Sequence, residues 1–485
     1  MPYIKNIMKG VCYIKLVANK MDIKQQRNTF TGKLGFVMTA AGSAVGLGNI
    51  WRFPYLAVKD NGGVFILCYI ILAVTFGFTL LTTEISIGRK THQSSLTAYA
   101  EINSKWGFLG TLASLVPVII LPYYCAIGGW VIKYFTLYLT DPKQDTIQDN
   151  FFSNFIAERY SPIIFAIIFL TLASFIVFSG VNKGIEKYSK ILMPILFVLI
   201  IGIAIYSLTL SHTNQDGITK TGLDGLKVYL IPDFSNMTIK DFFIILMDAM
   251  GQLFFSISVA MGIMVTYGSY VKKDVNLMQS INQIEIFDTI VALLAGLMIV
   301  PAVYIFSDDG MSAGPGLMFI SLPKVFNSMG SIGNFIGLMF FLMVLFAAIT
   351  SVVSVMETIV SSIIDKFKIS RKKSALIVTI YALIGSTIVC MGYNVLYFEV
   401  NLPNGTTGQI LDILDYISNN CLMPLVAILT CILVGWIVKP KIIIDEVTQG
   451  GYKFTRKNLY IIMIKYVAPI LLIVLLMQSI GIISL

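Results

Sequence analysis

Residues 42–63 read GSAVGLGNIWRFPYLAVKDNGG, an apolar stretch interrupted by glycines at 42, 46 and 48 and by Pro54. Glycine costs a helix about 1 kcal/mol against alanine, and proline removes a backbone donor. The stretch lies in a chain of 485 residues that is 56% hydrophobic and only 13% charged. Soluble domains carry about 25% charged residues, so a soluble enzyme is excluded. A helix break in such a chain falls at membrane depth, where unwound backbone survives only against protein or water.

Working outward, a spanning helix needs about 20 mainly apolar residues. Segments of that kind cover 35–58, 63–88, 107–139, 160–178, 188–211, 241–270, 283–306, 333–364, 374–396, 409–437 and 459–484. They are continuous runs, not the alternating segments of about 10 residues that mark a membrane β-barrel. The expectation is an all-α polytopic membrane protein with eleven transmembrane helices. A second break, GQLFFSISVAMG at 251–262, falls in the sixth segment, five after the first. Small residues also serve close helix packing. Breaks five segments apart, however, are the pattern of a 5+5 inverted repeat with a ligand site at mid-membrane. The expected division is a cytoplasmic segment 1–33, a first repeat 34–211, an extracellular loop 212–240, a second repeat 241–437, a cytoplasmic loop 438–458 and a last helix 459–485.

The net charge of +9 fits cytoplasmic loops rather than nucleic acid. With the N-terminus inside, about 25 basic residues face the cytoplasm against about 7 outside, and an odd number of spans puts the C-terminus outside. Residues 1–20 lack the apolar core and small-residue cleavage site of a signal peptide, and Met21 is an alternative start. Six cysteines without CxxC or Cys/His spacing and two histidines exclude a disulfide scaffold and a His-rich metal centre. No His/Glu metal motif, nucleophile elbow or phosphate loop supports a membrane enzyme. His92 and His212 read as loop residues without a role.

The blocks GSAVGLGNIWRFPYLAVKDNGG (42–63), PYYCAIGGW (122–130), GQLFFSIS (251–258), AAITSVVSVME (347–357) and LDYIS (414–418) resemble, in order, the neurotransmitter:sodium symporter family, and in particular its eleven-span bacterial branch. The resemblance runs over about residues 27–484. It implies a plasma-membrane symporter of bacterial type that imports an amino acid with Na⁺ by alternating access, through a sodium-symporter fold with helices 1 and 6 broken.

The same resemblance implies the ligands. Sodium site 1 takes the Ala44 carbonyl, Asn49, Ser256 and Asp288, completed by the substrate carboxylate. An isolated carboxylate at a helix centre costs about 2.5–3.5 kcal/mol, so Asp288 demands a purpose, whereas Asn49 and Ser256 also fit ordinary interhelical packing. Ala292 stands where chloride-dependent members carry serine and others glutamate, which implies chloride-independent transport. Sodium site 2 takes carbonyls of Gly42, Val45 and Ala347 and the hydroxyls of Thr350 and Ser351; by spacing alone those hydroxyls bond back into their own helix.

Half-helix N-termini favour an anion, and the Leu47 and Gly48 amides with Tyr124 are expected to hold the substrate carboxylate. The Ala44 carbonyl is expected to meet the amine. Gly46, where monoamine transporters of the family carry aspartate, implies a substrate that brings its own carboxylate. Ile120, Tyr124, Phe255, Ser258, Met261, Ser351 and Val355 would form an apolar pocket for a neutral, hydrophobic or aromatic amino acid, and Ala260 replaces a glycine common in the family. Arg52, Gln252 and Asp415 resemble the extracellular gate, and Arg27, Tyr270 and Asp365 the cytoplasmic one, with Phe30 replacing a tryptophan. Gly184 and Pro194 resemble the unwinding motif of helix 5. Glu84 is expected to brace the broken sixth helix, and Glu357 to join an inner-face network. Two alternatives remain: a non-transporting amino-acid sensor on this fold, and a proton-coupled transporter using Asp288.

Overall fold

The computed structural model describes residues 29–140, 150–213, 219–235, 237–306, 311 and 313–483. Among these, nine helices are long and apolar enough to cross a membrane: α3 (Gly63–Thr91), α4 (Ser104–Thr140), α5 (Ser161–Phe178), α6 (Val181–Thr209), α9 (Leu277–Phe306), α10 (Ser331–Phe367), α11 (Arg371–Met391), α12 (Ile410–Ile437) and α13 (Lys457–Ser479). A tenth span is bent by 52° between α1 (Lys33–Ala44) and α2 (Gly48–Lys59). The remaining expected segment, 241–270, is α7 (Ile239–Ser256) and α8 (Ile263–Gly268) around non-helical residues 257–262. Lys240, Asp241 and Asp248 in α7, together with the interruption, keep it from being one continuous apolar helix.

The sequence-based limits miss polar helix ends. The fifth span starts at Val181 rather than 188, through a π turn Val181–Glu186. Its charges are matched locally: Glu186 accepts from Lys190 at 2.6 Å and from the Thr31 amide at 2.9 Å. The seventh starts at Leu277 rather than 283, its polar first turns ending at Glu285, which pairs with Arg456 at 2.9 Å. The ninth and eleventh stop early, at Met391 and Ser479, instead of 396 and 484. Helix 5 is continuous here, with Gly184 in the π turn and Pro194 inside the helix.

The spans assemble around α4 and α10, which pack along most of their lengths. Close approach is set by missing side chains: a Cβ on Gly129 would stand 2.5 Å from the Ala166 amide nitrogen, so α4 and α5 touch backbone to backbone. Lipid-facing sides carry exposed Ile, Leu and Phe, such as Ile164, Phe175 and Val198.

Candidate functional site: a cavity between two broken helices

The first break begins where α1 ends: Val45 turns extended (φ −73°, ψ 91°) and α2 restarts through a π turn at Gly48–Arg52. The second is more contorted. Ser258, Ala260 and Gly262 all have positive φ, at +54°, +61° and +72°. Such a backbone costs an L-residue about 1–2 kcal/mol, so two of the three positions are strained. One anchor is explicit: the Ala260 amide donates to Glu84 Oε1 at 2.6 Å, from α3. Glu84 is buried, as the bracing role expected of it requires.

Both breaks open on one cavity of about 40 Å³. The ten residues expected around substrate, Ala44, Leu47, Gly48, Ile120, Tyr124, Phe255, Ser258, Met261, Ser351 and Val355, all line it. Ser43, Gly46, Asn49, Ser256 and Ile263 complete the lining. Ser43 lies in the 42–63 block and Ile263 just past the 251–262 break, but neither was assigned a contact there. The breaks are tied together here, since Ser258 Oγ donates to the Ser43 carbonyl at 2.9 Å. Gly46 has little room: a Cβ there would stand 3.0 Å from Ser351 Oγ and 3.4 Å from the Tyr124 hydroxyl.

Asp288 lies beside this cavity, fully buried. Oδ1 accepts from Ser256 Oγ at 2.6 Å and Asn49 Nδ2 at 2.9 Å, and Oδ2 accepts from the Tyr69 hydroxyl at 3.1 Å. All three donors are neutral, and among the described residues no base pairs with Asp288. Hydrogen bonds from neutral donors repay only part of a buried carboxylate's desolvation cost, and a cation or proton repays more. The oxygens available, from Asp288, Asn49, Ser256 and the Ala44 carbonyl, are the hard donors an alkali cation takes. Tyr69 was not singled out from sequence, since a tyrosine in an apolar helix carries no mark of its partner.

The second expected ion set is less gathered. Thr350 Oγ1 donates to its own helix, to the carbonyls of Phe346 at 3.0 Å and Ala347 at 3.1 Å. Ser351 Oγ reaches the Ser43 carbonyl at 3.4 Å. Thr350 does face the break, because a Cβ on Gly42 would stand 3.3 Å from its Cβ. A hydroxyl whose proton is committed to a carbonyl still offers its lone pairs.

Outside the cavity, a vestibule of about 240 Å³ is lined by Arg52, Asp248, Phe255, Asn419 and Gln478, among others. Gln252 is buried and donates to the Gly48 carbonyl at 3.1 Å. Arg52 and Asp415 form no ion pair among the described contacts; Asp415 instead accepts from Asn419 Nδ2 at 2.6 Å. The expected outer gate is thus unlatched above a lid made by Phe255, whose ring lies 2.6 Å from where a Gly48 Cβ would be.

The face expected to be cytoplasmic carries a buried hydrogen-bonded network around Glu357. Arg371 grips Glu357 through both terminal nitrogens, at 2.5 and 2.8 Å, and also donates to the Val177 carbonyl at 3.0 Å. Tyr270 donates to Glu357 at 2.7 Å, and the Phe30 amide bonds the Tyr270 carbonyl at 3.0 Å. Phe30 packs edge-on against Tyr267 and Tyr270. Arg371, read from sequence only as a topological base, is the missing partner of Glu357. Asp365 accepts from the Ser94 amide at 2.6 Å. Arg27 lies outside the described residues.

Known proteins share this sequence pattern and fold. The Sodium:neurotransmitter symporter family matches residues 27–155 and 156–484. An uncharacterized sodium-dependent transporter of Haemophilus influenzae is 32% identical over 472 residues, covering 94% of this chain and 98% of its own. The uncharacterized sodium-dependent transporter YhdH of Bacillus subtilis is also 32% identical, over 95% of this chain and 99% of its own. The crystal structure of MhsT in complex with L-phenylalanine superposes with a TM-score of 0.81 at 32% identity, over 93% of this chain and all of that one. The chain is an integral membrane protein that belongs to the sodium:neurotransmitter symporter family of sodium-dependent transporters.

Proposed function

We propose that this protein imports a neutral, hydrophobic or aromatic amino acid together with Na⁺, without chloride, by alternating access. The carrying observation is the junction of the cavity with Asp288. The Leu47 and Gly48 end of the first break lines the same space as apolar Ile120, Met261 and Val355, and Asn49 and Ser256 join that space to the buried carboxylate. An α-carboxylate at the half-helix end meets favourable backbone dipoles. A side chain at Gly46 would have to push against Ser351 Oγ and the Tyr124 hydroxyl, which argues against a protein carboxylate in its place. A substrate with its own carboxylate, sitting next to Na⁺ at sodium site 1, satisfies both. L-Phenylalanine is the ligand named for the MhsT structure, and the apolar lining here supports a side chain of that class.

Asp288 carries the negative charge at site 1, with Ala292 one turn on contributing none. This supports chloride independence. An unlatched outer gate with a sealed inner network supports an outward-facing state, poised to close on substrate. Return of the empty carrier would then leave Asp288 buried without Na⁺, and a proton is the cheapest replacement.

The test is uptake of labelled amino acids into proteoliposomes under an inward Na⁺ gradient, with chloride replaced by gluconate. Accumulation that needs Na⁺ and survives chloride removal is expected; Asp288→Asn lowers Na⁺ affinity at least tenfold, about 1.4 kcal/mol. Saturable binding without accumulation identifies a sensor instead, and uptake driven by a pH gradient without Na⁺ a proton-coupled carrier.

A further inference from the structure

The cytoplasmic end of α13 reaches toward the two helices that meet at Asp288. Arg456, the residue before α13, sends Nη2 to Glu285 Oε2 at 2.9 Å and to Asn282 Oδ1 at 2.5 Å, both on α9. Its Nη1 reaches Glu285 Oε1 at 3.3 Å and the Val74 carbonyl of α3 at 2.9 Å. The guanidinium lies 3.5 Å over the Phe78 ring. One planar group thus ties α3 to α9, with the Glu285 side chain only 7% exposed.

Two features make the tie more than surface glue. First, Val74 lies in a π turn, Ala73–Gly77, inserted in α3. Such turns redirect carbonyls and are frequent at functional sites; here one redirected carbonyl accepts from the guanidinium. Second, the tied residues stand close to a functional contact. Glu285 precedes Asp288 by three residues, and Val74 follows Tyr69 by five. At 1.5 Å per residue these offsets are about 4.5 and 7.5 Å along the helices. Tyr69 and Asp288 are the pair whose hydrogen bond spans the same interface, at 3.1 Å. Lysine, a point charge with one nitrogen, cannot make the planar, two-armed contact and stack on a ring at once.

We propose that Arg456 is a positioning residue for sodium site 1: from the cytoplasmic start of α13 it fixes the register of α3 against α9, and so the Tyr69–Asp288 contact. This rests on the assignment of Asp288 to a sodium site. Displacement of α3 and α9 by a few tenths of an ångström would lengthen that bond and loosen the carboxylate. Na⁺ affinity at site 1 would fall first, since the cavity takes none of its lining residues from α3 or α9.

Binding of ²²Na⁺ alone to detergent-purified full-length protein tests this, with melting temperature measured in parallel. Arg456→Gln is expected to raise half-saturation of one Na⁺ component at least fivefold and leave the other within twofold. Arg456→Lys falls between wild type and Arg456→Gln, and Glu285→Gln weakens the same component. Asp288→Asn identifies which component is site 1. If Asp288→Asn removes a component that Arg456→Gln leaves intact, the positioning role is overturned while the sodium assignment stands. If both components weaken equally, in step with a lower melting temperature, Arg456 is only structural and the inference fails. If wild type binds no ²²Na⁺, the sodium assignment itself is overturned, and the inference with it.

Discussion

The Ala260 amide donates a 2.6 Å hydrogen bond to Glu84, and this bond holds a non-glycine residue in a left-handed conformation at the heart of the second break. The strain of Ala260 and the burial of Glu84 are matched: the carboxyl oxygen fixes an amide that no helix satisfies. Ala260→Gly should relieve about 1 kcal/mol of backbone strain. It should raise the melting temperature or leave it unchanged, the gain offset by glycine's larger unfolded-state entropy. Glu84→Ala should lower the melting temperature and abolish uptake, and Glu84→Gln, which keeps an acceptor oxygen, should retain more of both. Equal loss in the two Glu84 variants would refute the bracing role.

Phe255 and Gly48 form the lid's hinge of contact. Gly48→Ala places a Cβ 2.6 Å from two ring carbons, so the ring must swing away from the cavity. Substrate affinity should fall about fivefold or more, roughly 1 kcal/mol, with folding little affected because the residue sits at a break. Unchanged affinity in equilibrium binding would show that the lid closes by another route.

The pair of Glu357 and Arg371 joins α10 and α11 to α5 and to Tyr270 in the turn after α8. Removing one partner of such a buried pair strands the other charge, at a cost of about 3–5 kcal/mol. Arg371→Ala should therefore favour the inward-open state. Hydrogen exchange should quicken at the Phe30 amide and across 267–271, and the double variant with Glu357→Gln should recover part of the protection. Protection unaltered by Arg371→Ala sinks the latch.

At the outer end of α2, Asp60 is pushed up to about 7, first by burial and then by the neighbouring Asp248 carboxylate, with Lys59 opposing. Lys59 Nζ stands 2.6 Å from Asp248 and 3.6 Å from Asp60. The raised value means that the folded state prefers a neutral Asp60. Its stabilisation is complete below about pH 4, the ordinary carboxylate range, and is lost as pH rises through 7. Thermal stability should decline from pH 5 to 8, and Asp60→Asn should flatten the decline. A slope unchanged in Asp60→Asn removes Asp60 as its source.

The spans and both breaks were legible because each depends on local chemistry: apolar length, glycine and proline in the wrong place, a carboxylate in an apolar run; the cavity residues followed from the family resemblance. Asp288 stood out for the cost of burying it. What it touches did not. Tyr69 lies 219 positions away in the chain, and Arg456 and Glu285 are separated by 171. Arg371 looked like one more cytoplasmic base, and only packing showed it holding Glu357. The early starts of α6 and α9 escaped because apolar length does not register polar first turns whose charges are paired, Glu186 with Lys190 and Glu285 with Arg456.

By itself the sequence determined that the chain crosses the membrane as helices, where two of them break, and which residue types surround the break. Those follow from transfer energies and backbone propensities, which act residue by residue. Tertiary structure alone decided the pairing at the expected gates: Arg52 and Asp415 form no ion pair among the described contacts, and Glu357 is held by Arg371. It also decided that Asp288 is shared between α3, α7 and the first break, and that α13 reaches back to tie α3 to α9. Such facts depend on distances of a few tenths of an ångström between remote side chains, and only the assembled packing sets them.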